Sequence, residues 1–307
     1  MKWLIVAPNF TDNNISVMED FLDSTGTEYT EIFIENGTKT IPFSSDIQTA
    51  MNVTHCVILD SYQMIRKSDY ALLLGVLMGR NVTTFIYTGQ KYARHYEKIK
   101  IEGQTFFRCY DELPSLLNYV KNNFELFKAD DRQKTALKTL FSKGIPFTSD
   151  SLAYYIQKDK PEICEMLMTA GMIADSYTSE GVPMLCVATR CDSFEKVEWL
   201  LDNGANINAV SKDRGYTAVM DAVWRKNYDI TKYLIEQGAD LSIISTDGQP
   251  ILVLAVGNGN VKIVNLLLEH GADPDVKDSM GMSARGYAVL FKRPEMIEAM
   301  KKFPPKE

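Results

Sequence analysis

Residues 265–278 read NLLLEHGADPDVKD, and two earlier stretches nearly repeat them: YLIEQGADLSIIS from 233 and WLLDNGANINAVS from 199. Each ends an apolar, leucine-rich run on Gly-Ala-Asp or Gly-Ala-Asn. Gly204, Gly238 and Gly271 are spaced by 34 and 33 residues, and Gly171 in MLMTAGMIAD lies another 33 back. A second ladder passes through Gly181, Gly215, Gly248 and Gly281 in steps of 34, 33 and 33. A fixed period of this length marks stacked supersecondary units, none of which buries its apolar face alone. Gly204, Gly238 and Gly271 follow apolar helices, where a left-handed residue turns the chain without a Cβ clash. Asn206, Asp240 and Asp273 are placed to bond their own backbone in the turn that follows.

The other half of each unit is legible in GYTAVMDA (215–222), which puts Thr217 at a helix N-cap, and in DITKYLIEQG (229–238), a second helix. These residues resemble the ankyrin repeat, whose pattern runs Gly-x-Thr-Pro-Leu-His-x-Ala, two helices, then Gly-Ala-Asp. Here the Thr-Pro pair becomes Pro183-Met184, Thr217-Ala218, Pro250-Ile251 and Ser283-Ala284, and the His becomes Cys186, Met220, Val253 and Gly286. The resemblance implies an all-α ankyrin-repeat solenoid over 128–307. It would hold three clear repeats, a weaker one at about 150–180, half of an N-terminal cap at 135–147 and a C-terminal cap at about 281–303. Without the His, the repeats should be less stable than consensus ones. The family's variable contact positions fall on Val182, Arg190, Arg214, Tyr216, Trp224, Arg225, Gln249, Asn258 and Met282. A protein partner on the concave surface is thereby implied. Trp, Tyr and Arg dominate interface energies, and the third repeat groups four of them. Trp224 fits packing between repeats equally well.

A chain of 307 residues with 45% hydrophobic content suits two domains, each with its own core. The net charge of −7 and the lack of a basic stripe argue against nucleic acid or anionic membrane as partner. Five cysteines, Cys56, Cys109, Cys164, Cys186 and Cys191, show no paired spacing and sit in apolar runs. A reducing, cytoplasmic setting is expected. MKWLIVAPNF is too short for a secretory core and reads as a first strand, and no run reaches the length of a membrane span.

Residues 1–127 do not repeat. Strands are expected at 2–8, 29–35, 55–60, 82–89 and 105–111, with helices at 15–23, 45–51, 67–79 and 112–127. Alternation of this kind implies an α/β domain with a parallel sheet and helices on both faces, and flavodoxin-like strand order is the natural expectation. Ligands bind such sheets beyond the carboxyl ends of the strands, around 8–14, 60–68 and 88–92.

The stretch 46–89 resembles the middle of a TIR domain, with Ser61-Tyr62 as its first Ser-x-Tyr-type pair and Ser68 and Tyr70 at its Ser and Trp. It is also similar to nucleoside 2-deoxyribosyltransferases through Asp69, Gly75, Gly79, Arg80 and Val82. The catalytic Glu of the first family falls on Leu74 and that of the second on Leu73. Both families break an N-glycosidic bond through a cationic ribosyl transition state that a carboxylate stabilises or traps. Leucine does neither. Asp60 and Asp69 are the fallback carboxylates, set against plain structural roles at a turn and a helix N-terminus.

No Gly-x-Ser-x-Gly elbow, Gly-x-x-x-x-Gly-Lys loop or His-Glu-x-x-His motif is present. His55 and Cys56 are neighbours on a strand, face opposite sides and cannot share a metal. His95 belongs to a polar loop and His270 to a helix end, while Trp3 and Trp199 read as core. The sequence therefore favours recognition over catalysis, with no cofactor beyond a nucleotide-like ligand in the first domain. The competing reading is a TIR-like nucleosidase, cleaving NAD or nucleosides, under control of the repeats.

Overall fold

The computed structural model describes residues 1–8, 13–34, 52–61, 64, 68–88, 100–101, 104–105 and 107–304, with the backbone alone at 13, 68, 69, 100, 101, 104 and 105. The helix expected at 45–51 lies outside these residues, as do Tyr62 and His95. The chain divides into two units, Met1–Arg132 and Gln133–Glu307.

In the first unit, β1 (Lys2–Ala7), β2 (Glu28–Phe33), β3 (His55–Ile58), β4 (Thr83–Tyr87) and β7 (Phe107–Tyr110) form one parallel sheet. Its order is β2-β1-β3-β4-β7. A separate antiparallel pair joins β5 (Lys100–Ile101) to β6 (Gln104–Thr105). The strand expected at 105–111 therefore starts later, at Phe107. The helices are α1 (Asn13–Ser24), α2 (Ser68–Gly79) and α3 (Leu113–Ser142), the part of α3 from Gln133 on being counted with the second unit. The last was expected to stop at 127. No glycine or proline interrupts 115–143, so the helix runs on until Gly144, which sits at φ +68°.

Period-two alternation splits the central strands between two cores. Trp3, Ile5 and Ala7 pack with Val57, Phe85 and the apolar sides of α1 and α3, through Met18, Leu22, Leu116 and Val120. Leu4 and Val6 pack with Ile58, Ile86 and α2, through Tyr70, Leu73, Leu74 and Leu77. A strand covered on both faces reads as an unbroken apolar run, as KWLIVA does. Trp3 stacks on His55 at 5.0 Å and on Phe85 at 5.9 Å, which puts both Trp3 and His55 in the core.

The second unit is built of helix pairs: α4 (Ser149–Gln157) with α5 (Pro161–Thr169), α6 (Met184–Arg190) with α7 (Phe194–Asp202), and α8 (Ala218–Trp224) with α9 (Tyr228–Glu236). Two more follow, α10 (Ile251–Asn258) with α11 (Val261–Glu269) and α12 (Ala284–Leu290) with α13 (Pro294–Lys301). The first helices pack in sequence, α4 on α6 on α8 on α10 on α12. One continuous apolar core runs through the stack. The positions of the family's His carry Cys186, Met220 and Val253, all buried in that core. Thr217 does stand at the N-cap of α8, but its hydroxyl makes no capping bond and is buried without a hydrogen-bond partner. Asn227 and Asn260 do cap α9 and α11, accepting from Ile230 N and Ile263 N.

Turns link repeat to repeat. Asp175 Oδ1 accepts from Asn206 N at 3.1 Å, and Asn208 Oδ1 accepts from Asp240 N at 2.8 Å. Within their own turns, Asn206, Asp240 and Asp273 accept from the amides two residues on, as expected. Gly238 adopts φ +89° and Gly215 φ +66°. Gly215 is also sterically required, since an added Cβ would lie 2.2 Å from Thr246 N. A third left-handed ladder was not visible as glycine. Asp159, Asp192, Lys226, Gly259 and Lys292 close the first helix of each pair at φ between 53° and 74°.

Candidate partner-binding surface

The last residues of the first helices, with the turns that follow, supply four of the nine positions named by the repeat pattern, and the hairpins supply the other five. Trp224 closes α8 and is 50% exposed, so half of its surface is open to solvent. Arg225 is exposed beside it and is held by Asp192 of the preceding repeat. That contact pulls the Asp192 carboxyl below its ordinary range, Arg225 being the leading cause. Asn258 sits at the equivalent place one repeat on, and its amide donates to the carbonyls of Val223 and Trp224. Its side chain thus satisfies the orphan carbonyls at the end of α8.

Arg190, at the end of α6, is committed to its neighbours. It donates to Asp221, to both carboxylate oxygens of Asp213 and to Ser211. At the hairpin tips Arg214 and Met282 are exposed. Gln249 is half-buried and accepts from the Tyr216 hydroxyl at 3.1 Å. Val182 and Tyr216 are only 6% and 8% exposed, so they form walls of the hairpins and offer little contact area. Sequence reasoning missed Asp213 and Asp221, because an ion pair across repeats leaves no local pattern in the chain.

Trp199, expected in the core, is half-buried instead. It donates from its indole to Glu165 and lines a cleft of about 230 Å³ with Ile156, Pro161 and Cys164. Burial pushes the Cys164 thiol up to about 11, so it is no nucleophile at neutral pH. Burial also raises the Cys56 and Cys186 thiols. All five cysteines are free thiols. A larger cleft of about 550 Å³ lies between the turns at Asp240 and Asp273, beside His270, which closes α11.

In the first unit, Asp60 follows β3 at φ +45° and is 7% exposed. It accepts from the Asn14 amide at 2.7 Å, tying the end of β3 to the start of α1. Asp69 lies in the first turn of α2, and its side chain is outside the described atoms. Leu73 and Leu74 are 3% and 9% exposed within the α2 side of the sheet core. Among the described residues, no group of His, Cys, Asp or Glu is arranged to hold a metal, and no helix is long and apolar enough to cross a membrane.

Comparison with known proteins bears on the second unit most directly. The family described as ankyrin repeats (3 copies) matches residues 152–245 and 219–302. An ankyrin repeat-containing protein of Treponema pallidum (strain Nichols) is 27% identical over 257 residues, 84% of this chain and 85% of its own length. That alignment is longer than the 175 residues of the second unit, so it reaches into the first. The B-cell lymphoma 3 protein homolog of Mus musculus is 31% identical over 115 residues, 36% of this chain and 26% of its own. The human transient receptor potential cation channel subfamily A member 1 is 35% identical over 78 residues, 24% of this chain and 7% of that protein. With the helix pairs, the glycine ladders and the bonded turns already in place, the match is decisive for this part of the chain: residues 152–302 are ankyrin repeats.

Proposed function

We propose that the protein is a recognition module that binds a protein partner through the first-helix ends and hairpin tips of its repeats. The observation that carries this is Trp224, half-exposed on a helix whose other side chains are buried, with Arg225 beside it. An exposed Trp next to Arg in a rigid frame has the composition of an interface hot spot. The test is a photo-crosslinking amino acid placed at Trp224 and, as control, at Glu236 on α9. A discrete adduct from position 224 alone supports the reading. Equal labelling from both positions would remove it.

A second reading concerns the first unit. The strand order β2-β1-β3-β4-β7 supports a flavodoxin-like, TIR-like domain with a ligand site at the strand ends. The burial of Leu73 and Leu74 supports a domain that no longer cleaves N-glycosidic bonds, because neither matched position presents a carboxylate. A nucleotide-like ligand held without turnover is the function this favours. Calorimetric titration with NAD and with nucleosides tests it, and the TIR-like nucleosidase is the outcome that would displace it.

A further inference from the structure

Trp224, Gly257 and Leu290 occupy the same position in three successive repeats, 33 residues apart, near the C-terminal ends of α8, α10 and α12. The outer two are large and exposed, Trp224 at 50% and Leu290 at 59%. The middle one has no side chain. Gly257 lies inside the run of α10, where glycine weakens a helix relative to alanine. Nothing in the fold requires it. Its φ is not in the left-handed region, and a Cβ built on it meets no atom within 4 Å. In this the residue differs from Gly215 and Gly259, whose added Cβ atoms would collide with Thr246 and Arg293.

A glycine that costs helix stability and relieves no contact keeps space open. We infer that Gly257 floors a notch between Trp224 and Leu290 that receives one bulky apolar side chain of a partner segment carrying acidic residues beside it. The charge follows from the flanking turns. Lys226 and Lys292, each two residues beyond Trp224 and Leu290, are exposed, and neither makes an ion pair among the described residues. Asp192 of the preceding repeat's turn is already taken by Arg225. Two free ammonium groups beside an apolar notch complement carboxylates that follow an apolar anchor. This inference rests on the proposed recognition role and narrows it to one subsite and one partner chemistry.

A random peptide library displayed on phage is selected against the immobilised full chain, and enriched peptides are remade with a fluorophore. They are titrated on the wild type, on Gly257→Leu, on the double variant Lys226→Glu with Lys292→Glu, on Arg214→Ala at a hairpin tip of the same surface, and on the control Glu236→Ala. Enriched peptides should pair Trp, Phe or Leu with Asp or Glu. Their affinity should fall about tenfold or more on Gly257→Leu and on the charge reversal, and stay unchanged on Glu236→Ala, which lies on α9 away from the first-helix ends. Gly257→Leu should melt at or above the wild-type temperature, since it removes a helix glycine. Should it fail to fold, Leu290→Gln removes one wall and should weaken the same peptides. Peptides indifferent to Gly257→Leu but weakened by Arg214→Ala overturn the notch and leave the recognition role standing. Peptides indifferent to every variant overturn both, and a selection that enriches nothing counts against the notch.

Discussion

Arg190 Nε donates to Asp221 Oδ2 across 2.9 Å, from the end of one repeat's first helix into the buried middle of the next. The same guanidinium holds Asp213 at 2.7 and 3.1 Å. The two carboxyls respond in opposite directions. Burial raises Asp221, outweighing the attraction of Arg190, whereas Asp213 is hydrogen-bonded by Arg190 nearer the surface and pulled down to about 2. Arg190→Leu leaves Asp221, only 1% exposed, without its cation. Breaking such a pair from one side costs about 3 kcal/mol. Equilibrium urea unfolding of the variant should show that loss at neutral pH. For Asp213 the folded value lies below the ordinary 3.8, so its stabilisation is present above that value and is lost as pH falls toward about 2.

Glu31 on β2 gives the opposite sign. A hydrogen bond with Glu19, then burial, pushes its carboxyl up to about 7 from 4.5. A raised value means stability fully present below 4.5 and lost as pH rises through about 7. Thermal melts across that window should fall in the wild type and flatten in Glu31→Gln. A slope identical in the two proteins would remove Glu31 as its source.

Two glycines separate strain from collision. Gly238 has open space around a built Cβ, so Gly238→Val should cost about 1–2 kcal/mol through its left-handed backbone alone. Gly215→Ala adds a clash with the Thr246 backbone to the same strain and should cost more despite the smaller side chain. Chemical denaturation of both variants ranks them.

For the first unit, incubation of the purified protein with NAD or nucleosides should give turnover near background. A transition-state charge stabiliser commonly lowers a barrier by several kcal/mol, and Leu73 and Leu74 supply none. Turnover abolished by Asp60→Asn would promote Asp60 from a turn residue to a catalyst.

The repeats could be read from sequence because their turns need a residue without a Cβ, and that need recurs at a fixed period. The ladder through Asp159, Asp192, Lys226 and Lys292 has the same backbone but tolerates side chains, so it left no letter to find. The sheet strands were visible as apolar runs, but the start of β7 was not, since pairing of Gln104–Thr105 with Lys100–Ile101 depends on a local hairpin. Trp199 looked like core because its neighbours are leucines. Its indole N–H, however, needs a polar partner and finds Glu165 near the surface. Arg190, Asp213 and Asp221 were unreadable as a set, being 23 and 31 residues apart in sequence.

The bonded turns, Asp175 to Asn206 and Asn208 to Asp240, couple each repeat chiefly to the one beside it, so stability propagates along one dimension. A cavity cut into α8, such as Val219→Ala, weakens an interior link with partners on both sides. The same lesion at Met296 in α13 weakens a repeat with fewer neighbours to lose. The first should therefore let the array melt in two separable blocks, visible as a broadened or split calorimetric transition. The second should fray one end and leave the main transition sharp.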